Sequence, residues 1–167
     1  MRMLNTDGVP EREKIRSIQP SAERRAQGPV VWIECFQEIP CDPCHDACPA
    51  GAIAAFEDIN DCPAVDHDTC TGCGLCIAAC PGLAIFVIDE TYSETEAVLR
   101  IPYEFSPLPG VDEEVTLLNR AGEEVGTGSI LRVQKPPTFD RTAVVWVVIP
   151  KDLVAEARAF RRGEQES

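Results

Sequence analysis

Nine cysteines lie between Cys35 and Cys80, and four of them, Cys70, Cys73, Cys76 and Cys80, follow one another as C-x2-C-x2-C-x3-C with Pro81 immediately after. Thiolates are soft ligands, and three of them at i, i+3 and i+6 in one tight loop can all point at one iron–sulfur cubane. Gly72 and Gly74, between them, are expected to let the backbone approach the cluster sulfides. The fourth thiol does not easily reach the same cubane, and Pro81 turns the chain away from it. Laid over itself so that Cys41 falls on Cys73, the sequence also brings Cys44, Cys48 and Pro49 onto Cys76, Cys80 and Pro81, and Ala52-Ile53 onto Ala84-Ile85. The block is therefore two copies of one unit. At the position matching Cys70 the first copy has Glu38, which leaves Cys35 and Cys62 as spare thiols.

The full run C-x2-C-x2-C-x3-C-P is that of bacterial ferredoxins, in which the fourth Cys serves the other cluster. Residues 30–90, a little over a third of the chain, resemble the two-cluster bacterial ferredoxin family. The resemblance implies a pseudo-twofold α+β domain holding two [4Fe-4S] clusters. Carried over position by position, Cys70, Cys73, Cys76 and Cys48 hold one cluster, and Cys41, Cys44 and Cys80 give three ligands to the other. Cys35 is the expected eighth ligand, since C-x5-C-x2-C-x3-C-P keeps the family's order with a longer first loop. The alternatives are Cys62, in the connection back to the second motif, Glu38 itself, or a three-iron cluster lacking that vertex. Tetrahedral zinc would leave the third Cys and the Cys-Pro of each loop unused, and cysteines spaced this closely rarely meet disulfide geometry.

The remaining candidates carry less. His45 and His67 flank the cysteine loops and read as solvated or hydrogen-bonded surface residues. Trp32 and Trp146 sit in strand-like runs and read as core. Phosphate-binding glycine loops, a G-x-S-x-G elbow and an H-E-x-x-H motif are missing from the sequence. The chain is thus expected to lack a catalytic site of its own.

The elements that must position these thiols follow from composition. Among 167 residues, 15 Lys and Arg face 28 Asp and Glu, a net charge of −13. That balance argues against nucleic acid or an anionic membrane as partner. The charge is unevenly spread, at +2 for residues 1–29, −11 for 30–90 and −4 for 91–167, and residues 30–90 contain no Lys or Arg. The pattern predicts three parts: an extended arm (1–29), a dicluster ferredoxin domain (30–90) entered by the strand Val30–Ile33, and a small all-β, barrel-like domain with a C-terminal helix (91–167). In the last part, strands are expected at Ala97–Phe105, Glu114–Leu118, Gly128–Gln134 and Thr142–Ile149, between turn-rich links. The apolar spacing of Leu153, Val154, Ala157 and Phe160 predicts an amphipathic helix over Lys151–Arg162.

The longest apolar run, Ala143–Ile149, is too short to span a bilayer. The stretch Met1–Pro20 shows no secretory pattern, so the chain is read as cytoplasmic, where thiols serve metals more often than disulfides. Eleven acidic groups with no basic neighbours in residues 30–90 predict low cluster potentials. The expected function is an iron–sulfur electron-transfer subunit, a non-catalytic part of a hetero-oligomeric oxidoreductase. Size and the stretch Cys80–Ile85 more loosely resemble the ferredoxin subunits of flavin-dependent amino or imino acid dehydrogenases, which implies a flavin-containing catalytic partner. Other oxidoreductases of the hydrogenase, formate or oxo-acid type are the alternative, and an iron–sulfur sensor without enzymatic role is a third reading.

Overall fold

The computed structural model describes residues 4–163. Seven strands form one antiparallel sheet: β1 (Val30–Ile33), β2 (Ile85–Asp89), β3 (Glu96–Tyr103), β4 (Glu114–Leu118), β5 (Glu124–Gln134), β6 (Ala143–Pro150) and β7 (Ala159–Arg162), in the order β1-β2-β3-β6-β5-β4-β7. Strands β1, β3, β4 and β6 lie where β-branched and aromatic runs predict them, and β5 begins earlier than expected, at Glu124 rather than Gly128. The composition boundary near Glu90 falls in the turn between β2 and β3, which pair directly (Ile88 opposite Leu99). The cysteine-bearing part and the β-rich part therefore share a sheet.

Strands β1 and β2 are buried on both faces, so alternation sorts their side chains into two cores. Val30, Trp32, Phe86 and Ile88 pack with Leu99, Val115, Leu117, Ile130 and Val147 inside the curved sheet. Val31, Ile33, Ile85 and Val87 face the other way, onto Ile53, Cys76 and Ile77. This β1–β2 ribbon is the wall between the β-rich core and the cysteines.

Two elements differ from expectation. Residues Lys151–Arg162 do not form the expected amphipathic α-helix: a single 3-10 turn of helix at Lys151–Leu153 leads into β7, antiparallel to β4 with Leu117 opposite Phe160. Unpaired, the edge of β4 would leave its backbone groups without partners, and β7 covers it. Phe160 stacks on Tyr103 at 5.1 Å, while Arg162 and Arg161 pair with Glu113 and Glu124. Leu153, Val154 and Ala157, whose spacing suggested a helix face, pack onto the sheet core from an irregular turn. The arm is not extended either. It contains α1 (Leu4–Asp7), α2 (Arg12–Ser17) and α3 (Ala22–Arg25). The Ser21 hydroxyl caps α3 by accepting from the Arg24 amide at 3.2 Å. Pro10, Ile15, Pro20 and Arg24 are its buried anchors. Single anchors between breaks leave no periodicity to read. The ends of the expected arm and last domain, residues 1–3 and 164–167, lie outside the described residues.

At one end of the sheet its two edges meet. Glu34, just after β1, accepts from Arg120 (2.5 and 2.9 Å) in the β4–β5 turn and from Arg158 (2.7 Å) just before β7. Burial works against the Glu34 carboxylate, yet the two guanidiniums hold it below the usual glutamate range. Arg158 also caps the carbonyls of Val154 and Ala157.

Candidate metal centre

The internal repeat is carried into the backbone. Helices α4 (Pro43–Ala47) and α5 (Leu75–Ala79) occupy equivalent positions. The bridge of Ile53 with Val65 repeats the pairing of Ile85 with Ile33. Asp66 N donates to Ala52 O and Glu34 N to Ala84 O, both at 2.8 Å. After each helix the chain reverses the same way. Ala52 N donates to Cys48 Sγ at 3.3 Å and Ala84 N to Cys80 Sγ at 3.5 Å. Gly51 and its counterpart Leu83 both adopt positive φ (71° and 53°). Each Cys-Pro corner thus aims its sulfur back across the unit, away from the other thiols of its own motif.

The consequence is an exchange of thiols between motifs. One concavity is walled by Cys35, Cys41, Cys44 and Cys80, with Ile33, Ile39, Phe56, Pro63 and Ile85. A second is walled by Cys48, Cys70, Cys73 and Cys76, with Val31, Ala52, Ile53 and Val87. Each gathers three thiols of one motif and the Cys-Pro thiol of the other. Among the described residues, no three His, Cys, Asp or Glu side chains converge on a point that a single metal ion could occupy. The four thiols in each case stand around an apolar hollow, a donor set suited to a multi-iron group with one vertex per thiolate.

Electrostatics agree with a cationic occupant. Burial, then the neighbouring thiols Cys70, Cys73 and Cys48, push Cys76 up to about 12. Burial and Cys80 push Cys44 up to about 11. Four bare thiolates would repel one another in such a hollow, so they ionise together only around metal. Cys48 differs. Burial again opposes its thiolate, but the amides of Ala52, Ile53, Ala50 and Gly51 outweigh that cost and hold it below the usual thiol value. Such N–H groups aimed at sulfur are the hydrogen bonds that tune iron–sulfur centres.

Glu38, at the register of Cys70, is absent from both walls, and Cys35 takes the vacant place. The Gln37 amide bonds to the Cys35 sulfur as the Gly72 amide bonds to Cys70 (3.4 Å), the same offset along the chain. Cys62 is exposed, outside the wall, but near enough that its charge raises Cys35. Should each hollow hold a cluster, Cys35→Ala is expected to cost one cluster's share of iron and absorbance and Cys62→Ala to cost none; iron analysis of the two variants distinguishes them.

Gly72 has a second task beside the one expected of it. At φ 70°, a Cβ there would lie 2.4 Å from the Pro29 carbonyl oxygen. The residue keeps room for the arm, which seats its last residue on the Cys70–Cys73 loop. Gly72→Ala combines a left-handed backbone, about 1–2 kcal/mol, with a clash against backbone. A fall in melting temperature and loss of the iron spectrum on mild heating are expected, whereas Gly51→Ala, with nothing within 4 Å, bears only the backbone cost.

His45 Nδ1 lies 2.7 Å from Ile53 O, and His67 is half-buried with its pKa lowered, mainly by burial and then by Arg24. Trp32 is fully buried in the sheet core, and Trp146 lies between Arg100 and Arg132, its Nε1 donating to Gln134. Sequence reasoning missed Arg24 and Arg100, which reach the Cys70–Gly72 backbone from outside the cysteine block. Only their being buried cations without carboxylate partners marks them, and no local pattern encodes that.

Comparison with known proteins bears on the second motif most directly. Residues 63–86 match the Fer4 family, the 4Fe-4S binding domain. The chain is 45% identical over 47 residues to an ion-translocating oxidoreductase complex subunit of Methanosarcina acetivorans, covering 28% of this chain and 17% of that protein. It is 40% identical over 68 residues to the ferredoxin-type protein NapF of Haemophilus influenzae (38% and 39%). It is 33% identical over 78 residues to the thiosulfate reductase electron transfer subunit PhsB of Salmonella typhi (44% and 39%). The chain thus spans well under half the length of these curated relatives. No solved structure matches it. The segment carrying Cys70, Cys73, Cys76 and Cys80 is a ferredoxin-type 4Fe-4S binding domain.

Proposed function

We propose that this chain holds two [4Fe-4S] clusters, one in each thiol-walled hollow, and relays single electrons between them as a subunit of a larger oxidoreductase. The observation that carries the reading is the exchange of Cys48 and Cys80 between the motifs, which gives each hollow four thiols. When bound, such clusters supply one-electron chemistry with little rearrangement. The chain's own residues ligate, exclude water and set the field: Ile53, Ile85, Val31 and Val87 dry the hollows, and the Ala52 and Ala84 amides donate to sulfur.

A place within a complex is supported by the relatives named as complex or electron-transfer subunits. It is also supported by the β-rich half, more than a single cluster carrier needs. Among the described residues no helix is long and apolar enough to cross a membrane. The flavin-dependent amino or imino acid dehydrogenase reading rests on chain size and the Cys80–Ile85 stretch, and the names of these relatives mention no flavin. Anaerobic purification through this chain from its host tests both levels. A co-purifying catalytic subunit with bound flavin supports the finer reading, a flavin-free oxidoreductase partner leaves only the coarser one, and no partner contradicts the subunit role.

A further inference from the structure

Residues 30–90 contain no Lys or Arg, yet folding delivers two arginines to one of the hollows. Arg24, from α3, is 7% exposed. Its Nε donates to His67 O (2.8 Å), its Nη1 to Gly28 O (3.3 Å), and its Nη2 to Pro29 O and Cys70 O (2.8 Å each). Arg100, from β3, is 8% exposed and donates through Nη1 to Gly72 O at 2.7 Å, with its guanidinium 3.8 Å over Trp146. Its Nε has no partner. Every one of these acceptors is a backbone carbonyl, and neither arginine belongs to the ion pairs of the described residues.

A buried cation without a carboxylate costs several kcal/mol unless an anion stands near. Both arginines bind the backbone of Cys70–Gly72, in the loop whose thiols Cys70 and Cys73 wall the second hollow, and Arg100 also feels the charge of Cys73. Among the described residues, Asp89 is the carboxylate whose charge acts on Arg100. The first hollow is different. The nearby guanidiniums of Arg120 and Arg158 are closed on Glu34, and Asp61 stands in the wall.

We infer that Arg24 and Arg100 are the counter-charges of the cluster held by Cys48, Cys70, Cys73 and Cys76, and that they make it the more readily reduced of the two. The inference rests on the two-cluster reading. A thiolate-bound cluster is anionic and gains one more negative charge on reduction, with no bond made or broken, so a fixed buried cation favours the reduced form. Electrons then run downhill from the Cys35, Cys41, Cys44 and Cys80 side to the Cys48, Cys70, Cys73 and Cys76 side. The expectation that this block has no basic neighbours holds along the chain and fails in space.

The test is a dithionite titration of the full-length, anaerobically prepared chain, followed by electron paramagnetic resonance. Iron and sulfide content and the number of signals report on the two-cluster reading; midpoints report on the arginines. In Arg24→Met and Arg100→Met, the signal that Cys76→Ser abolishes should become at least tenfold less reduced at fixed potential, about 59 mV for one electron. Arg24→Lys and Arg100→Lys should stay within threefold of the parent. Asp89→Asn should shift the same signal the opposite way. Unmoved midpoints in iron-replete Met variants, equal shifts in the Lys variants, or a shift confined to the other signal would each overturn the inference. If the Met variants fail to hold iron, an unmoved Asp89→Asn midpoint overturns it.

Discussion

With a cluster in each hollow, as proposed, Cys48→Ser and Cys76→Ser, in different motifs, should abolish the same spectroscopic signal and cut the iron content by about half. Cys80→Ser and Cys44→Ser should abolish the other. The grouping follows from which thiols share a hollow: Cys48 with Cys76, and Cys80 with Cys44. It does not follow from proximity in sequence, by which Cys44 and Cys48 would act together. Serine is a poor substitute for a soft thiolate, and a lost vertex exposes the cluster to solvent. Reduced-state spectra and iron analysis of the four variants check the grouping. A pairing of Cys48 with Cys44 would mean that each motif serves its own centre.

The second large effect lies away from the thiols. Glu34→Ala leaves two guanidiniums facing each other, one of them almost wholly enclosed: the Arg158 side chain is 4% exposed. Burial already pushes Arg158 down to about 10, even with Glu34 beside it. Breaking a buried pair by removing one partner costs about 3–5 kcal/mol, which for a chain of this size is a fall of roughly 10 °C in the melting midpoint. The same change unties both sheet edges, because Glu34 follows β1 and Arg158 precedes β7. Adding Arg158→Met to Glu34→Ala should recover much of the loss, since the stranded charge is then gone. Thermal unfolding of the two single variants and the double variant measures the coupling, and additive losses would show that Glu34 is a surface carboxylate rather than the tie between edges.

What could be read from the sequence divides along a physical line. The repeat was legible because one shift along the chain carries Cys48 onto Cys80, Ile53 onto Ile85 and α4 onto α5, whereas the exchange of thiols between motifs came from the ferredoxin resemblance. Strands β1, β4 and β6 were legible because β-branched runs bounded by turn residues have few other stable arrangements. Strand β7 was not. Ala159–Arg162 has no β-rich composition, and the open edge of β4, a tertiary feature, decides its pairing. Nor was the ordered arm, since Arg24 is held there by the carbonyls of His67 and Cys70, which lie far along the chain. A composition count assigned charges to segments, whereas the field at a cluster is set by whatever side chain arrives there after folding. Gly72 illustrates the same limit, because its place between cysteines gives no sign of its second neighbour in space, Pro29.

We propose that one chain carries two four-iron centres with interleaved ligands. Iron and acid-labile sulfide counted on anaerobically purified full-length chain, with its electron paramagnetic resonance spectrum on full reduction, tests it most directly. About eight iron and eight sulfide per chain are expected, with a reduced spectrum broadened by coupling between two neighbouring paramagnets. About four iron with a single uncoupled signal, or zinc in place of iron, would contradict it.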